Sequence, residues 1–315
     1  MPESAEPAAT GLKMLFDLAL AEGGQVAGNA IQLPPSLGRG FVRFVEPEPG
    51  LKIAIHHYVL AREITVKRVA GDAQSETLLI SFNAFDPAPG AATWHLSSVH
   101  ISSSDVGATF TLPAQTTIFI IGFALEKVLV RSWLNAAEEP APAILTTDHT
   151  LVFDTLMTPE IQRSVLQLAE APPSHYLASF FYRIRTQELV YLLFVELAKR
   201  ATVPPRHLHA TDAEKIFQVR AALLSSLNKP PSLPALAKTA GLGETKMKQL
   251  FRQVFGTSIY DYFQLARMEE AKRLLRHLSV SEVGYQLGFT NLSHFARLFE
   301  KHHQLTPKKY QATLR

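Results

Sequence analysis

Five polar side chains lie close together near the start of the last third of the chain. They are Thr245, Lys246, Lys248, Gln249 and Arg252. Hydroxyl and amide groups hydrogen-bond to base edges, whereas lysine and arginine pair with phosphates. Because residues three and four apart lie on one face of a helix, a helix here would present most of these groups together. The segment therefore predicts a surface that contacts nucleic acid.

A helix-turn-helix pattern surrounds these residues. The segment Pro231 to Gly256, PSLPALAKTAGLGETKMKQLFRQVFG, contains a short apolar-periodic helix, two glycines and a second such helix. A glycine just past a helix end can adopt the left-handed conformation that turns the chain into a second helix. The polar residues fall on the outer face of the second helix. One such pattern is a weak signal, because any two-helix hairpin can imitate it.

The same pattern recurs between Leu278 and Tyr310. Gly288 is placed to turn the chain, and Asn291 is placed to cap the following helix. The outer face of that helix is predicted to hold Leu292, Ser293, Ala296 and Arg297. Leucine and alanine offer few hydrogen-bonding groups, so this face is expected to contact thymine methyls or backbone shape. We therefore expect the first unit to supply most base discrimination.

One long helix is predicted to join the two units, from Ser258 to Leu275. At roughly 1.5 Å per residue it would span about 27 Å. Successive major grooves on one face of DNA lie about 34 Å apart. A rigid helix of this length could place two outer helices in adjacent grooves. Lys272, Arg273 and Arg276 near its end could face phosphate, although a solvated helix surface explains each of them equally well.

Charge divides the chain in two. Thr211 to Arg315 holds 16 lysines and arginines against 8 acidic residues, whereas the rest holds 15 against 20. The overall charge of +3 is thus a basic C-terminal module added to an acidic N-terminal one. The chain has no cysteine, which excludes disulfides, thiolate metal sites and thiol redox sensing.

The N-terminal part is predicted to be a β domain. Between Phe41 and Phe123, short runs of alternating apolar residues are separated by proline, glycine and aspartate, which is typical of an antiparallel sandwich or small barrel. The N-terminus begins acidic and lacks the pattern of a secretory signal. The longest apolar runs anywhere in the chain are too short to span a membrane. These features predict no membrane association and a cytoplasmic location.

Two helices and a linker follow the β domain. Pro159 lies near the start of the first helix, and the run from Ser174 to Ala201 predicts a long second helix whose apolar stripe fits either a dimer contact or a core contact. The Pro pair in residues 201–210 predicts a semi-rigid linker. The predicted boundaries are 1–40 for an N-terminal extension, 41–147 for the β domain, 148–200 for a helical dimerisation segment, 201–210 for the linker and 211–315 for the basic domain.

Four histidines in the β region suggest a metal site, and the spacing argues against it. His56 and His57 are adjacent, and His95 and His100 are five apart, so each pair points to opposite faces of a strand. No catalytic triad, paired carboxylates or phosphate-binding glycine loop is found by spacing. We expect no metal, no cofactor and no enzymatic activity. A cupin-type enzyme with a DNA-binding appendage is the alternative, and it would require a metal.

The segment from about Ala213 to Leu314 resembles the DNA-binding domain of AraC/XylS-type transcriptional regulators. The motifs are LPALAKTAGLGETKMKQLFRQVFG and SVSEVGYQLGFTNLSHFARLFEKHHQLTPKKYQ. The resemblance implies that Thr245, Lys248 and Gln249 enter one major groove, that Leu292, Ser293, Ala296 and Arg297 enter a second, and that Arg252 approaches phosphate. Two departures are Gly243, where the family usually has a capping serine, and Gln304, where it usually has glycine.

The N-terminal part resembles the cupin-like effector domain of the same family, and the two helices resemble a segment of its siderophore-responsive subgroup. The implied fold class is α+β: an antiparallel β-barrel with a helical hairpin, then an all-α tandem helix-turn-helix domain. The implied partners are promoter DNA, a second copy of the chain, RNA polymerase and a small-molecule effector. Control by a partner protein instead of a small ligand remains an alternative. A methyl-transfer repair sensor is excluded, since it needs cysteine.

Overall fold

The computed structural model describes residues 7–69, 71, 76–87, 97–134, 145, 151–169, 176–199 and 208–314. The chain divides into two compact units, Met1–Ala210 and Thr211–Arg315. The N-terminal unit contains ten described strands and four described helices. They are α1 (Pro7–Ala21), β1 (Gln25–Ala27), β2 (Ala30–Gln32), β3 (Gly38–Glu48), β4 (Leu51–Leu60), β5 (Ile64–Arg68), β6 (Thr77–Pro87), β7 (Ser98–Ser103), β8 (Ala108–Leu112), β9 (Thr116–Glu126), α2 (Lys127–Trp133), β10 (Val152–Leu156), α3 (Pro159–Ala169) and α4 (Ala178–Ala198).

Eight strands form one antiparallel sheet in the order β1-β2-β3-β4-β9-β6-β7-β10, and β5 pairs with β8 in a second sheet. Alternation along the strands gives the large sheet two faces, each with its own apolar core. One face, with Ile53, Phe82 and Phe123, packs against α2, α3 and α4. The opposite face, with Tyr58 and Ile118, packs against α1 and the two-stranded sheet. We call this second face the inner face.

The antiparallel β architecture agrees with the sequence prediction, and three details differ from it. Among the described residues β1 and β10 are the edges of the large sheet, with no pairing between them, so a closed barrel is not formed by these strands. Strands β1 and β2 lie inside the predicted 1–40 extension and pair into the sheet. Strand β10 lies inside the segment predicted to be helical and pairs with β7. Strands of three to five residues are too short to show a period.

The C-terminal unit is helical throughout its described length. Its helices are α5 (Ala210–Leu224), α6 (Leu233–Ala240), α7 (Glu244–Phe255), α8 (Ile259–Leu274), α9 (Val280–Gln286), α10 (Leu292–His303) and α11 (Pro307–Ala312). Helices α6 and α7 form the first helix-turn-helix unit, α9 and α10 form the second, and α8 joins them. The predicted linker lies largely outside the described residues, which resume at Leu208.

Serine caps and left-handed turn residues set the ends of these helices. Ser232, Ser258 and Ser279 each accept a hydrogen bond from a backbone N–H in the first turn of the following helix. Such caps satisfy donors that a helix end would otherwise leave open. Gly241 and Gly288 have φ of +58° and +76° and end α6 and α9. Each unit therefore has the tight turn that its sequence predicted.

Candidate nucleic-acid interface

Helix α7 divides cleanly into a buried face and an exposed polar face. Met247, Leu250 and Phe251 are buried in the core of the C-terminal unit. Spacing along the helix places the predicted contact residues on the other side, and all five are exposed, namely Thr245, Lys246, Lys248, Gln249 and Arg252. A convex helix with such a face has the shape and the donors to enter a major groove.

Two of these lysines are already engaged with carboxylates. Nζ of Lys246 lies 2.9 Å from Oδ2 of Asp212 on α5, which directs this side chain toward its own domain. Nζ of Lys248 lies 3.8 Å from Oε2 of Glu244, one turn earlier on α7, in a solvent-exposed pair. An exposed pair of this kind is worth little, so phosphate can replace Glu244. Of the five predicted contact residues, Lys246 is therefore the one whose charged group is held against its own domain.

Helix α10 presents a much smaller contact surface than the sequence predicted. Ser293 and Arg297 are exposed, whereas Leu292 and Ala296 are only partly exposed. A Cβ built on Gly284 would lie 2.4 Å from Cδ2 of Leu292, so that leucine packs directly on α9. Leu292 therefore does not lie wholly on the outer face as predicted, because the glycine opposite it leaves space for the leucine side chain. Glycine at this spacing was the signal that could have shown it.

His294 is an exposed residue of the second unit that the sequence reasoning did not select. Its ring centroid lies 5.9 Å from that of Phe289, in the turn before α10. Its backbone N–H, like that of Ser293, donates to Oδ1 of Asn291. Imidazole can hydrogen-bond to bases or phosphates. Polar residues recur at helical spacing at positions 290, 294, 297 and 301, and this sequence pattern would have indicated that His294 lies on the exposed face.

The two outer helices also differ at their first turns. Gly243 precedes α7 and provides no side-chain cap, whereas the Asn291 side chain accepts bonds from two backbone N–H groups of α10. Both features were predicted from the residue types. At the other end of α10, Gln304 adopts φ of +59°, a left-handed conformation that glycine adopts with less strain. The missing cap leaves backbone donors at the start of α7 open to solvent or a phosphate.

The basic cluster at the end of α8 is partly neutralised. Nε and Nη2 of Arg273 donate to the two carboxylate oxygens of Glu270, at 2.8 and 2.7 Å. A bidentate pair of this kind fixes the guanidinium against its own helix. Arg276 is exposed, and Lys272 is partly exposed. Of this cluster, Arg276 is the residue whose exposure best suits a phosphate contact.

The inner face of the N-terminal sheet carries a buried polar group of side chains. The cross-strand register aligns Ala54, Gly122, Ser81, His100 and Asp154 in one row. Nδ1 of His100 lies 3.8 Å from Oδ2 of Asp154, and both residues are buried. Three of these five residues, Ala54, Gly122 and Ser81, have small side chains or none.

Arg68 extends this polar group. It donates to Oγ of Ser102 at 2.9 Å and to the carbonyl of Val106. Burial lowers the pKa of Arg68 to about 10, and Asp105 acts in the opposite direction. Arg68 therefore stays protonated at neutral pH and places a positive charge in a largely buried site.

The predicted absence of a metal site remains a prediction. His56 is buried and His57 is exposed, on opposite faces of β4 as the spacing required. His95 lies outside the described residues. Within the described part of the chain, no three histidine or acidic side chains converge to hold a metal ion. No described helix is long and apolar enough to cross a bilayer.

Comparisons with known proteins concern mainly the C-terminal unit. A helix-turn-helix domain family matches residues 236–313. The HTH-type transcriptional activator RhaR of Salmonella schwarzengrund is 31% identical over 130 residues, which cover 39% of this chain and 46% of that protein. The regulatory protein PchR of Pseudomonas aeruginosa is 38% identical over 76 residues, which cover 24% of this chain and 25% of that protein. The chain thus spans less than half the length of these relatives.

Among solved structures, an AraC-type transcriptional regulator from Chromobacterium violaceum is 24% identical, with a TM-score of 0.32, and covers 34% of this chain and 96% of that one. The relatives that match the chain bear the names of transcriptional regulators and not of enzymes. The two helix-turn-helix units of this chain, the family match over residues 236–313 and the sequence motifs agree with one another. Residues 236–313 of this chain therefore form a helix-turn-helix domain of the AraC type.

Proposed function

We propose that this protein is a cytoplasmic, sequence-specific DNA-binding regulator of transcription that acts as a dimer and responds to a small-molecule effector. The observation that carries the proposal is the α7 surface, where Thr245, Lys248, Gln249 and Arg252 are exposed together above a buried apolar face. The matched helix-turn-helix family and the excess of basic residues after Ala210 support it. Promoter DNA is the proposed ligand of the C-terminal unit, and RNA polymerase is a proposed partner at the promoter.

The DNA-binding proposal is tested by selecting duplexes from a random pool with the full-length protein. We expect one or a few related sequences to be enriched, and their affinity to fall steeply as salt rises, because bound phosphates release counterions. Duplexes enriched without any shared sequence, or an affinity independent of salt, would contradict the proposal. Mapping the bound sites in the genome of the source organism would then identify the regulated genes.

Dimerisation is proposed through the outer face of α4. Its inner face is buried with Tyr182 and Leu189, while the opposite face exposes a row of apolar side chains, namely Leu177, Phe180, Ile184, Tyr191 and Val195. Phe180 is 53% exposed and Tyr191 is 67% exposed. An apolar row of this length on a helix is unusual for a monomer surface. A second copy of the same helix would cover it symmetrically.

Sedimentation of the full-length protein tests the dimer. Ile184→Glu is expected to shift a dimer toward monomer, because it places a charge in the middle of the apolar row. The matched control is Val128→Glu, since Val128 is 61% exposed on α2 and outside that row. A wild-type protein that sediments as a monomer at micromolar concentration, or equal effects of the two variants, would refute this interface.

The effector is proposed to bind on the inner face of the N-terminal sheet, beside His100, Asp154 and Arg68. His100 and Asp154 are buried and Arg68 is partly buried, and together they offer hydrogen-bond donors and acceptors next to small side chains, which suits a small polar molecule. A ligand acts only through different affinities for two arrangements of the protein. Screening polar metabolites for a rise in the melting temperature of the full-length protein tests this site.

Ser102→Leu supplies the matched variant for the effector test. It places a larger apolar side chain beside Arg68, on the same face of β7 as His100, without adding a charge, so a ligand of this site should no longer raise the melting temperature. A ligand effect that survives Ser102→Leu places the effector elsewhere. Control by a partner protein predicts instead that no small molecule shifts the melting temperature while a second protein changes DNA binding.

A further inference from the structure

Arg267 lies at the centre of the C-terminal unit, where it joins the long helix α8 to the turn of the second helix-turn-helix unit. The residue is only 6% exposed. Its Nη2 donates to the carbonyl of Leu287 at 2.5 Å, and its Nη1 donates to Oε1 of Gln264 at 3.1 Å. Its guanidinium carbon lies 3.7 Å from the centre of the Phe289 ring. Because Leu287 and Phe289 flank Gly288, one side chain holds the turn on both sides.

The turn is closed from another direction by the loop after α5. A Cβ built on Gly288 would lie 2.1 Å from the carbonyl oxygen of Asn228, so the two backbones are in direct contact. Gly288 also has φ of +76°, which a side chain disfavours. The turn is therefore held between a rigid backbone surface and a guanidinium group. It has little freedom to shift in either direction.

The position of α10 follows from this turn. Phe289 precedes the helix by three residues and packs against Phe295 within it, with ring centroids 5.2 Å apart. Leu292, the first residue of α10, is seated on Gly284 of α9. A change in the turn would therefore rotate or displace Ser293 and Arg297, the exposed residues of α10.

Burial separates Arg267 from the arginines that face solvent. Burial lowers its pKa, and the cost of enclosing a charge is offset only by close hydrogen bonds and ring contacts. Arg252 and Arg297 are exposed and can reach phosphate, whereas Arg267 contacts groups of its own domain. A flat, forked donor is needed here, because it bonds Leu287 and Gln264 while lying on a ring.

We propose that Arg267 is a positioning residue for the second outer helix, and that it determines whether α10 engages the second major groove. The inference rests on the proposed DNA-binding function. In this arrangement the first unit binds its own groove whether or not Arg267 is present. Loss of Arg267 therefore converts a contact with two grooves into a contact with one.

The test maps hydroxyl-radical protection by the full-length protein on a duplex selected with the wild type. Each protomer of the wild type is expected to protect two segments separated by about 34 Å, one helical turn. The segment bound by the first unit is identified by the base whose preference changes in Gln249→Ala. Arg267→Met is expected to leave that segment protected and to require about tenfold more protein for the other.

Three further variants keep the result interpretable. Arg267→Lys keeps the charge but not the fork, and we expect the same loss confined to the second segment. Phe289→Leu removes the aromatic ring and keeps the arginine, and it should show the same loss confined to the second segment. Arg163→Met is the matched control, because it removes an exposed arginine from α3 of the N-terminal unit and should change the protection of neither segment.

The outcomes separate the two proposals. If the wild type protects two segments and Arg267→Met weakens both equally, or neither, the positioning role of Arg267 is overturned and the DNA-binding function stands. Full protection by Arg267→Lys would also overturn it, because charge alone would then suffice. If the wild type protects no defined segment, the proposed function and the inference both fall.

Discussion

Ser232 and Ser279 cap the first helices of the two helix-turn-helix units, and Gly241 and Gly288 turn the chain at the same distance after them. The aromatic core repeats as well: the Phe251 and Tyr262 rings lie 5.4 Å apart in the first unit, and the Phe299 and Tyr310 rings 5.7 Å apart in the second. The units thus share one internal framework. They differ in what surrounds that framework.

In the first unit the outer surface is polar and the turn is open. A Cβ on Gly241 would meet nothing within 4 Å, and α7 exposes a full row of hydrogen-bonding groups. In the second unit the turn is enclosed by Arg267 and Asn228, and the first two turns of α10 expose only Ser293, His294 and Arg297. The comparison supports the proposal that the first unit supplies most of the base contacts, whereas the turn of the second unit is held more firmly in place.

The largest difference is expected at the two turn glycines. Gly288→Ala should destabilise the C-terminal unit by about 3 kcal/mol or more, because a methyl group meets the Asn228 carbonyl and the left-handed conformation is strained. Gly241→Ala should cost only about 1 kcal/mol, since conformational strain acts there without a clash. Chemical denaturation of the full-length variants measures both. Equal losses would show that the second turn is no more enclosed than the first.

Base discrimination should differ next. Gln249→Ala is expected to cost about 1 to 3 kcal/mol at particular bases, because an amide can form two bonds to one base edge. Ser293→Ala in the second unit should cost less. A serine hydroxyl can bond to either a donor or an acceptor, so it discriminates weakly between bases. Binding is measured on a panel of single-base variants of the selected duplex. Arg252→Ala is the control and should weaken all duplexes alike, and a uniform loss with Gln249→Ala would remove α7 as the base-contacting helix.

The helix caps offer a smaller, opposite pair of effects. Asn291→Ala should destabilise the second unit by about 1 kcal/mol, because two backbone donors of α10 lose their acceptor. Gly243→Ser should stabilise the first unit by a few tenths of a kcal/mol, since it adds the missing cap at an extended backbone position with open space around it. Thermal unfolding of the full-length protein follows both. A stabilising Asn291→Ala would show that its capping bonds are not formed in solution.

The smallest difference is expected with pH. His303 occupies in the second unit the place that Phe255 holds in the first, each lying 4.4 Å from a core phenylalanine ring. Burial lowers the pKa of His303, more than Glu269 and the bond to the Met268 carbonyl raise it. The unfolded chain therefore binds this proton first, so the stabilisation is complete above about pH 6.5 and declines as pH falls toward the folded-state pKa.

Comparison of the wild type with His303→Phe isolates this contribution. The free energy of unfolding should fall more between pH 7.5 and pH 5.5 in the wild type than in the variant, because the variant lacks the titrating ring. Burial lowers the pKa of His302 and the charge on His303 lowers it further, so the difference reports these two neighbouring rings together. Identical pH profiles would mean that His303 titrates equally in the folded and unfolded chains.

Local rules were sufficient for most of the C-terminal unit. The helix ends at Gly241 and Gly288 and the cap at Asn291 follow from residue type and spacing, because each depends on a few neighbouring residues. Strands β1, β2 and β10 were missed for the opposite reason. Their pairing partners are distant in the chain, and a run such as Val152–Leu156 carries too few residues to show a period.

The contact surface was predicted in part. Exposure of Thr245, Lys248, Gln249 and Arg252 follows from a helical period and agrees with the structure. The pair between Lys246 and Asp212 depends on where α5 lies against α7, and helical period alone cannot give that. Leu292 was placed on the outer face because its partner, Gly284, lies on a different helix.

The sequence by itself determined that this chain has a basic helical unit with two turns of the same kind, and which residues cap and end its helices. Periodicity and backbone preference are local properties, so they can be recognised from the sequence. Only the tertiary structure decided which of the predicted side chains face outward, which carboxylates engage them, and that Arg267 and Asn228 enclose one turn and not the other. Those contacts join residues far apart in the sequence, and only packing brings them together.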